Sequence, residues 1–518
     1  MTQQAVQHNA LRCAPGNLIG GVWHDTPGDA LVSNNPARPG EVVWSASVER
    51  AHLDEAVAAA RAALPAWSRT SIEQRIAVLD RYKQLAAERA EEIAELLCDE
   101  TGKAMWECMG EAKLLAGKVD ITLEEGPSTG RHRVGGFSFA MGETKEARCH
   151  FRPHGVMAVV GPFNFPAHLP NGHIIPALLT GNTIVFKPSD KTPAVGQALG
   201  ELFDEALRAE GAPAGVFNLV QGGVEVAAPL STHDGIDGIL FTGSWPVGRK
   251  ILESNLDRPG RIVALEMGGN NAAVVMDDAD LYQAAAEVVR CAFNTTGQRC
   301  TCTRRVIVQE SVADRFIGAV VKSASTLVVG DPRASETFMG PIISEQARSE
   351  VFAFEKRLSE GGGRVLVEST ALPDREGWYV TPSVVEVDGF NTGEDDAGCD
   401  LEVFGPLLRI ARISSLDEAI EQANATRYGL ASSIFTKDPE ATERFLTEAR
   451  AGCVNINCGT AGASSKLPFG GLGWSGNHRP AGAFSLDYCA YPVASMVESG
   501  DAAGIANGMR LERSWLEG

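Results

Sequence analysis

GVMAVVGPFNFPAHLPNGHIIPALLTGNTIVFKPS, residues 155–189, sets two short apolar runs on either side of a helical stretch that starts at about His168. Runs this short and this apolar read as strands buried on both faces, and the strand, helix, strand order joins them in parallel. The alternation continues downstream. A helix is predicted over about 192–210, then the strand VFNLVQG (216–222), a short helix, and the strand GILFTGS (238–244). Repeated strands and helices of this kind imply an open, mainly parallel sheet covered on both faces, so the chain is placed in the α/β class.

A second alternation is expected from about Arg261. RIVALEMGG and NAAVVM read as buried strands, 280–294 as a helix and RRVIVQE (304–310) as a strand. Helices around 312–326 and 345–360, the strand GRVLVES, and SLDEAIEQAN before YGLASSIFT complete a second α/β unit. Upstream, Val48 to about Leu97 reads as two amphipathic helices, which are scaffold, and a third helical pattern covers about 104–121. GGFSFAMGETKEARCHFRP (135–153) has short glycine-bounded strands and is expected to project as a hairpin.

With 518 residues the chain is long enough for two or more domains. Its 66 acidic and 46 basic side chains give a formal charge of −20, which opposes a nucleic-acid partner and repels an anionic substrate at long range. The start lacks a basic segment followed by an apolar run, and no apolar stretch is long enough to span a bilayer, so a cytoplasmic location without a membrane partner is expected. Eleven scattered cysteines point to reduced thiols, not a disulfide scaffold.

Three residues stand out chemically. Cys300 ends FNTTGQRC, where Gly297 permits an unusual turn and nearby backbone N–H groups are suited to stabilise a thiolate or an oxyanion, although a lone cysteine is as well explained by packing. Glu266, in LEMGGN at a strand end, is placed to act as a base, and Asn164, in GPFNFP, to donate to a developing oxyanion; each is also accounted for as a residue that satisfies a turn. FTGSWPVG (241–248) follows a strand with glycines at spacing five, a weak phosphate-turn signal by itself. In VFKPSD (185–190), Lys187 suits ribose or phosphate oxygens, and Asp190 suits a ribose diol while repelling a 2′-phosphate.

The ordered set GPFNFP, VFKPSD, FTGSWPVG, LEMGG, FNTTGQRC, LEVFGP and KLPFGGLGWSG resembles the NAD(P)-dependent aldehyde dehydrogenase superfamily over about residues 20–490. The resemblance implies Cys300 as nucleophile, Glu266 as general base, and Asn164 with the Cys300 N–H as oxyanion hole. It implies NAD as cofactor, held by Lys187, Ser189, Asp190, Gly243, Ser244, Gly248, Glu402 and Phe404, and no metal. The fold it implies is a modified Rossmann NAD-binding domain (17–134 and 155–265), a catalytic α/β domain (266–465) and a small bridging β element (135–154 and 485–500) supporting a homodimer or homotetramer. Phe163 and Asn270 depart from the commoner Trp and Lys of the family pattern.

Longer runs, including GPFNFPAHLPNGHIIPALLTGNTIVFKPSDKTP and FNTTGQRCTCTRR, look most like the members that oxidise N-succinyl-L-glutamate 5-semialdehyde. A small anionic aldehyde needs a local cation, and Lys118 and Arg299 are candidates, each equally open to solvation or an internal ion pair. His168 and Thr301 are further substrate-side candidates. Other short anionic semialdehydes, a CoA-acylating reaction and a nonenzymatic scaffold are the alternatives.

Overall fold

The computed structural model describes residues 14–124, 126, 130–462, 464–500 and 504–517. Its centre is a pair of seven-stranded sheets. In the first, the strands run in the order 262–267, 238–243, 156–160, 183–187, 217–219, 16–19, 22–25, parallel from 262–267 to 217–219 and antiparallel beyond. The parallel strands are buried along most of their length because helices cover both faces, among them Ala51–Trp67, His168–Leu179 and Pro193–Ala209.

The second sheet runs 364–367, 383–386, 407–413, 303–309, 271–275, 431–435, 453–456, with only the first pair antiparallel. Helices Leu281–Phe293 and Glu310–Ser325 pack on one face, and Glu345–Glu360 and Leu416–Asn424 on the other. The placing of RIVALEMGG in the second alternation is corrected: Ile262–Met267 pairs in parallel with Gly238–Gly243, so the chain changes sheets at Gly268 and Gly269. Periodicity marks a strand but carries no information on its partner.

The segment 135–153 does form a hairpin, Phe137–Ala140 against Lys145–Pro153, and Ala490–Glu498 adds to it over nine paired positions. Upstream, the two helices expected over 48–97 are three, since the second run breaks at Arg89 into Ile72–Glu88 and Ala90–Thr101. Among the described residues no helix is long and apolar enough to cross a membrane.

Candidate active site

Parallel strands leave their carboxyl-end loops on one edge of a sheet, which is where α/β folds place ligands. Here that edge carries Asn164 beyond strand Val156–Val160, Lys187 at the end of Thr183–Lys187, Gly243 and Ser244 after Gly238–Gly243, and Glu266 near the end of Ile262–Met267. Cys300 approaches from the second sheet, three residues ahead of strand Thr303–Gln309. The two sets meet directly: Asn164 Nδ2 donates to the Gln298 carbonyl at 2.8 Å.

The loop before Cys300 takes three consecutive left-handed residues, Thr295 (φ 53°), Thr296 (φ 54°) and Gly297 (φ 71°). Left-handed geometry costs a residue with a Cβ roughly 1–2 kcal/mol, so the turn persists only because its surroundings hold it. Arg304 contributes most visibly: its guanidinium donates to the carbonyls of Gly269 at 3.0 Å, Val403 at 2.7 Å and Arg299 at 3.0 Å. Asn271 Nδ2 takes the carbonyls of Cys300 at 2.7 Å and Cys302 at 2.8 Å. At Gly297 a side chain has no room, since a Cβ would lie 2.0 Å from the Gly405 carbonyl oxygen.

Cys300 is half-buried, and among the described residues its backbone N–H donates to no acceptor. Burial pushes its thiol pKa up, the nearby carboxylates of Glu266 and Glu402 add to the rise, and Arg304 opposes it. Glu266 is 3% exposed, and neither of its carboxyl oxygens has a hydrogen-bond partner among the described residues. Burial alone raises that carboxyl well above the ordinary range. An orphaned acid of this kind marks a functional position more often than a structural one. Asn164 uses one of its two amide N–H groups on Gln298, and its Oδ1 accepts the Phe165 N–H at 3.1 Å, which fixes the amide's orientation and leaves the second N–H available.

Of the residues expected to hold a dinucleotide, Lys187, Ser189, Asp190, Gly243, Ser244 and Gly248 end or follow strands of the first sheet on that edge, and Glu402 and Phe404 precede strand 407–413 of the second. Lys187 is 5% exposed, its ammonium has no hydrogen-bond partner among the described residues, and burial lowers the ammonium pKa against the pull of Asp190 and Glu225. Such an ammonium fits a ligand's hydroxyl or phosphate oxygens. Ser244 caps helix Trp245–Ser254 without a side-chain hydrogen bond, and Gly248, in its first turn, packs on Met267. Ser189 accepts the Lys191 N–H and reaches Asp190 at 3.4 Å, with Asp190 exposed beside them. Glu402 accepts the Gly269 N–H at 2.8 Å and lies against Gly268, where any Cβ would displace it. Phe404 packs edge-on to Phe163 at 6.2 Å.

The substrate-side candidates divide. Lys118 is buried, donates to the Gly482 carbonyl at 2.7 Å, and has its pKa lowered to about 8 by burial. Arg299 pairs with Glu107 at 2.7 Å. Both cations are engaged within the protein: Arg299 in the internal ion pair that the sequence left open, Lys118 instead on a backbone carbonyl and the Ser485 hydroxyl. His168 opens helix His168–Leu179 with a buried, unpartnered Nδ1 and a pKa lowered by burial to about 4. Thr301 is buried behind Cys300, its carbonyl accepting from Thr460 at 2.7 Å. Arg304, Asn271, Gln298 and Glu107 were not singled out from the sequence, where TCTRRVIV reads only as the start of a strand. The one available signal was a basic pair entering an otherwise buried strand. Among the described residues no cluster of His, Cys, Asp or Glu is suited to a metal ion.

Comparison with known proteins matches residues 23–492 to the aldehyde dehydrogenase family. N-succinylglutamate 5-semialdehyde dehydrogenase 2 of Caulobacter vibrioides is 47% identical over 488 residues, covering 93% of this chain and 96% of that protein. An NAD-dependent aldehyde dehydrogenase from Sinorhizobium meliloti superposes with a TM-score of 0.87 at 28% identity, covering 97% of this chain and 99% of the other. Glyceraldehyde-3-phosphate dehydrogenase GapN from Methanocaldococcus jannaschii, solved with NADP, does so with a TM-score of 0.83 at 28% identity, covering 91% and 99%.

Proposed function

We propose a reaction on this premise: the chain belongs to the aldehyde dehydrogenase family and is an NAD(P)-dependent oxidoreductase. The reading is that it oxidises a short anionic semialdehyde, N-succinyl-L-glutamate 5-semialdehyde, to the acid, with NAD as cofactor. The observation that carries the chemistry is the orphaned, buried Glu266 carboxyl beside the Cys300 thiol. The substrate rests on the 47% identity with the Caulobacter vibrioides enzyme.

Cys300 Sγ, once its thiol proton has passed to solvent, adds to the aldehyde carbon as the thiolate, and the oxygen that becomes negative meets the free N–H of Asn164 and the Cys300 N–H. A bound dinucleotide would supply the acceptor for the hydride on this carbon. The Cys300 thioester so formed is attacked by water, whose proton goes to the Glu266 carboxylate, and the acid departs as the thiolate is restored. Lys187 and Glu402 are suited to ribose hydroxyls, and Phe404 to the flank of the nicotinamide. Asp190 favours NAD over NADP by its charge. A water-activating carboxyl favours hydrolysis over transfer to CoA, which needs no such base.

Steady-state rates with this semialdehyde, succinate semialdehyde and a neutral aldehyde of similar length test the reading, with NAD or NADP and with or without CoA. The expected result is an acid product independent of CoA, a preference for the anionic substrate, and higher kcat/KM with NAD. A neutral aldehyde preferred by about tenfold overturns the substrate class. Cys300→Ala is expected to abolish NADH formation and leave NAD affinity unchanged; turnover in a clean preparation of that variant overturns the covalent route.

A further inference from the structure

Helix Met105–Leu123 carries Glu107 and Glu111 one turn apart on its buried face, and Lys103 lies just before its first turn, also buried. Glutamates are seldom buried to this depth without partners. The partners of these two sit on two different catalytic loops. Glu107 accepts the Thr295 N–H at 3.0 Å, the Thr295 hydroxyl at 2.7 Å and Arg299 Nη2 at 2.7 Å, and so grips the first left-handed residue of the Cys300 turn.

Glu111 Oε1 accepts the N–H groups of Ala167 at 3.1 Å and His168 at 3.0 Å. These begin helix His168–Leu179, whose own capping residue, Ala167, has no side-chain acceptor. A carboxylate from a neighbouring helix meets the orphan donors and the positive helix end together. Lys103 pairs with Glu111 Oε2 and donates to the Asn164 carbonyl at 2.9 Å. The Phe165 ring lies 4.3 Å from the Lys103 ammonium and 5.0 Å from the Arg299 guanidinium, which ties the two grips to each other.

We propose that Lys103, Glu107 and Glu111 are positioning residues: one helix fixes the spacing between the nucleophile loop and the oxyanion loop, so that Cys300 and Asn164 address the same carbonyl group. The proposal rests on the reaction assigned above. None of the three touches the reacting atoms. Their duties differ, since Glu107 holds the loop of Cys300 while Lys103 and Glu111 hold the turn of Asn164. A purely structural ion pair predicts no such division.

Two reactions of Cys300 separate these duties. Alkylation by iodoacetamide expels iodide and develops no oxyanion, so it senses the thiol loop alone. The single-turnover burst of NADH with N-succinyl-L-glutamate 5-semialdehyde and NAD needs the oxyanion donor as well. In full-length, folded Glu111→Gln the burst is expected to slow about tenfold or more while alkylation stays within about twofold of the unmodified rate. In Glu107→Gln both are expected to slow, by about fivefold or more.

Lys103→Arg keeps the charge and moves the donor, and is expected to follow Glu111→Gln if the latter fails to fold. Burst and alkylation falling in step in folded Glu111→Gln, or a burst at the unmodified rate, overturns the positioning role. An unmodified protein that forms no NADH from any aldehyde overturns the reaction itself, a separate outcome.

Discussion

At the scale of single residues the protein holds two acids whose pKa burial raises, the Cys300 thiol and the Glu266 carboxyl. The second has a thermodynamic signature. Because its pKa is raised on folding, the folded chain retains a proton that the unfolded chain releases above about pH 4.3. Stability is therefore lost as pH rises from that value toward the folded pKa, by about 1.4 kcal/mol for each pH unit crossed. Glu266→Gln removes this loss, so its melting temperature at pH 8 is expected to exceed that of the unmodified protein, with the gap shrinking toward pH 4. Melting curves across that range check it, and a variant less stable at pH 8 contradicts the burial argument. The same variant is expected to keep a burst of NADH while releasing acid more slowly, about a hundredfold. Glu266, Cys300 and Asn164 could be picked from the sequence because each sits in a glycine- or proline-marked turn. Arg304 showed only as half of a basic pair within a buried strand, and only the fold brings the carbonyls of Gly269, Val403 and Arg299 around it.

Between elements the decisive joint is the turn 295–297, which converts the end of helix Leu281–Phe293 into the approach to strand Thr303–Gln309. Gly297→Ala forces a Cβ to within 2.0 Å of the Gly405 carbonyl oxygen at a φ of +71°, against backbone that cannot rotate away. Expected is a stability loss of at least about 1 kcal/mol in urea unfolding, with a larger fractional loss of Cys300 alkylation and of turnover. Wild-type alkylation in this variant shows that the turn does not set the thiol's placement. Most elements were legible in the sequence, helix Met105–Leu123 from its helical spacing and the hairpin over 137–153 from its glycine-bounded short strands. Two failures have different physical causes. Arg89 ends a helix without a glycine or proline to mark it, and Ile262–Met267 was given to the wrong sheet because pairing is decided by distant chain.

Over the whole molecule the charge of −20 works against an anionic substrate, while Arg299 and Lys118 are occupied internally. Raising salt from about 10 to 150 mM shortens the screening length from roughly 30 to 8 Å, so kcat/KM for an anionic semialdehyde is expected to rise while that for a neutral aldehyde stays level. A fall for the anion identifies a local cationic funnel that outweighs the net charge. The α/β class and the two alternations were readable from sequence, but the order of strands was not, and that order has its own consequence. Residues 373–376 are exposed, and a cut there divides the chain into pieces whose strands are interleaved. The second sheet alternates them at three seams, 364–367 with 383–386, 407–413 with 303–309, and 271–275 with 431–435, and Ala490–Glu498 zips onto Lys145–Pro153 as a fourth. Covalent continuity at that point is therefore expected to be dispensable: the nicked enzyme should run as one particle in native gel filtration, remain active, and come apart only in denaturant, and a nicked protein that separates without denaturant contradicts this.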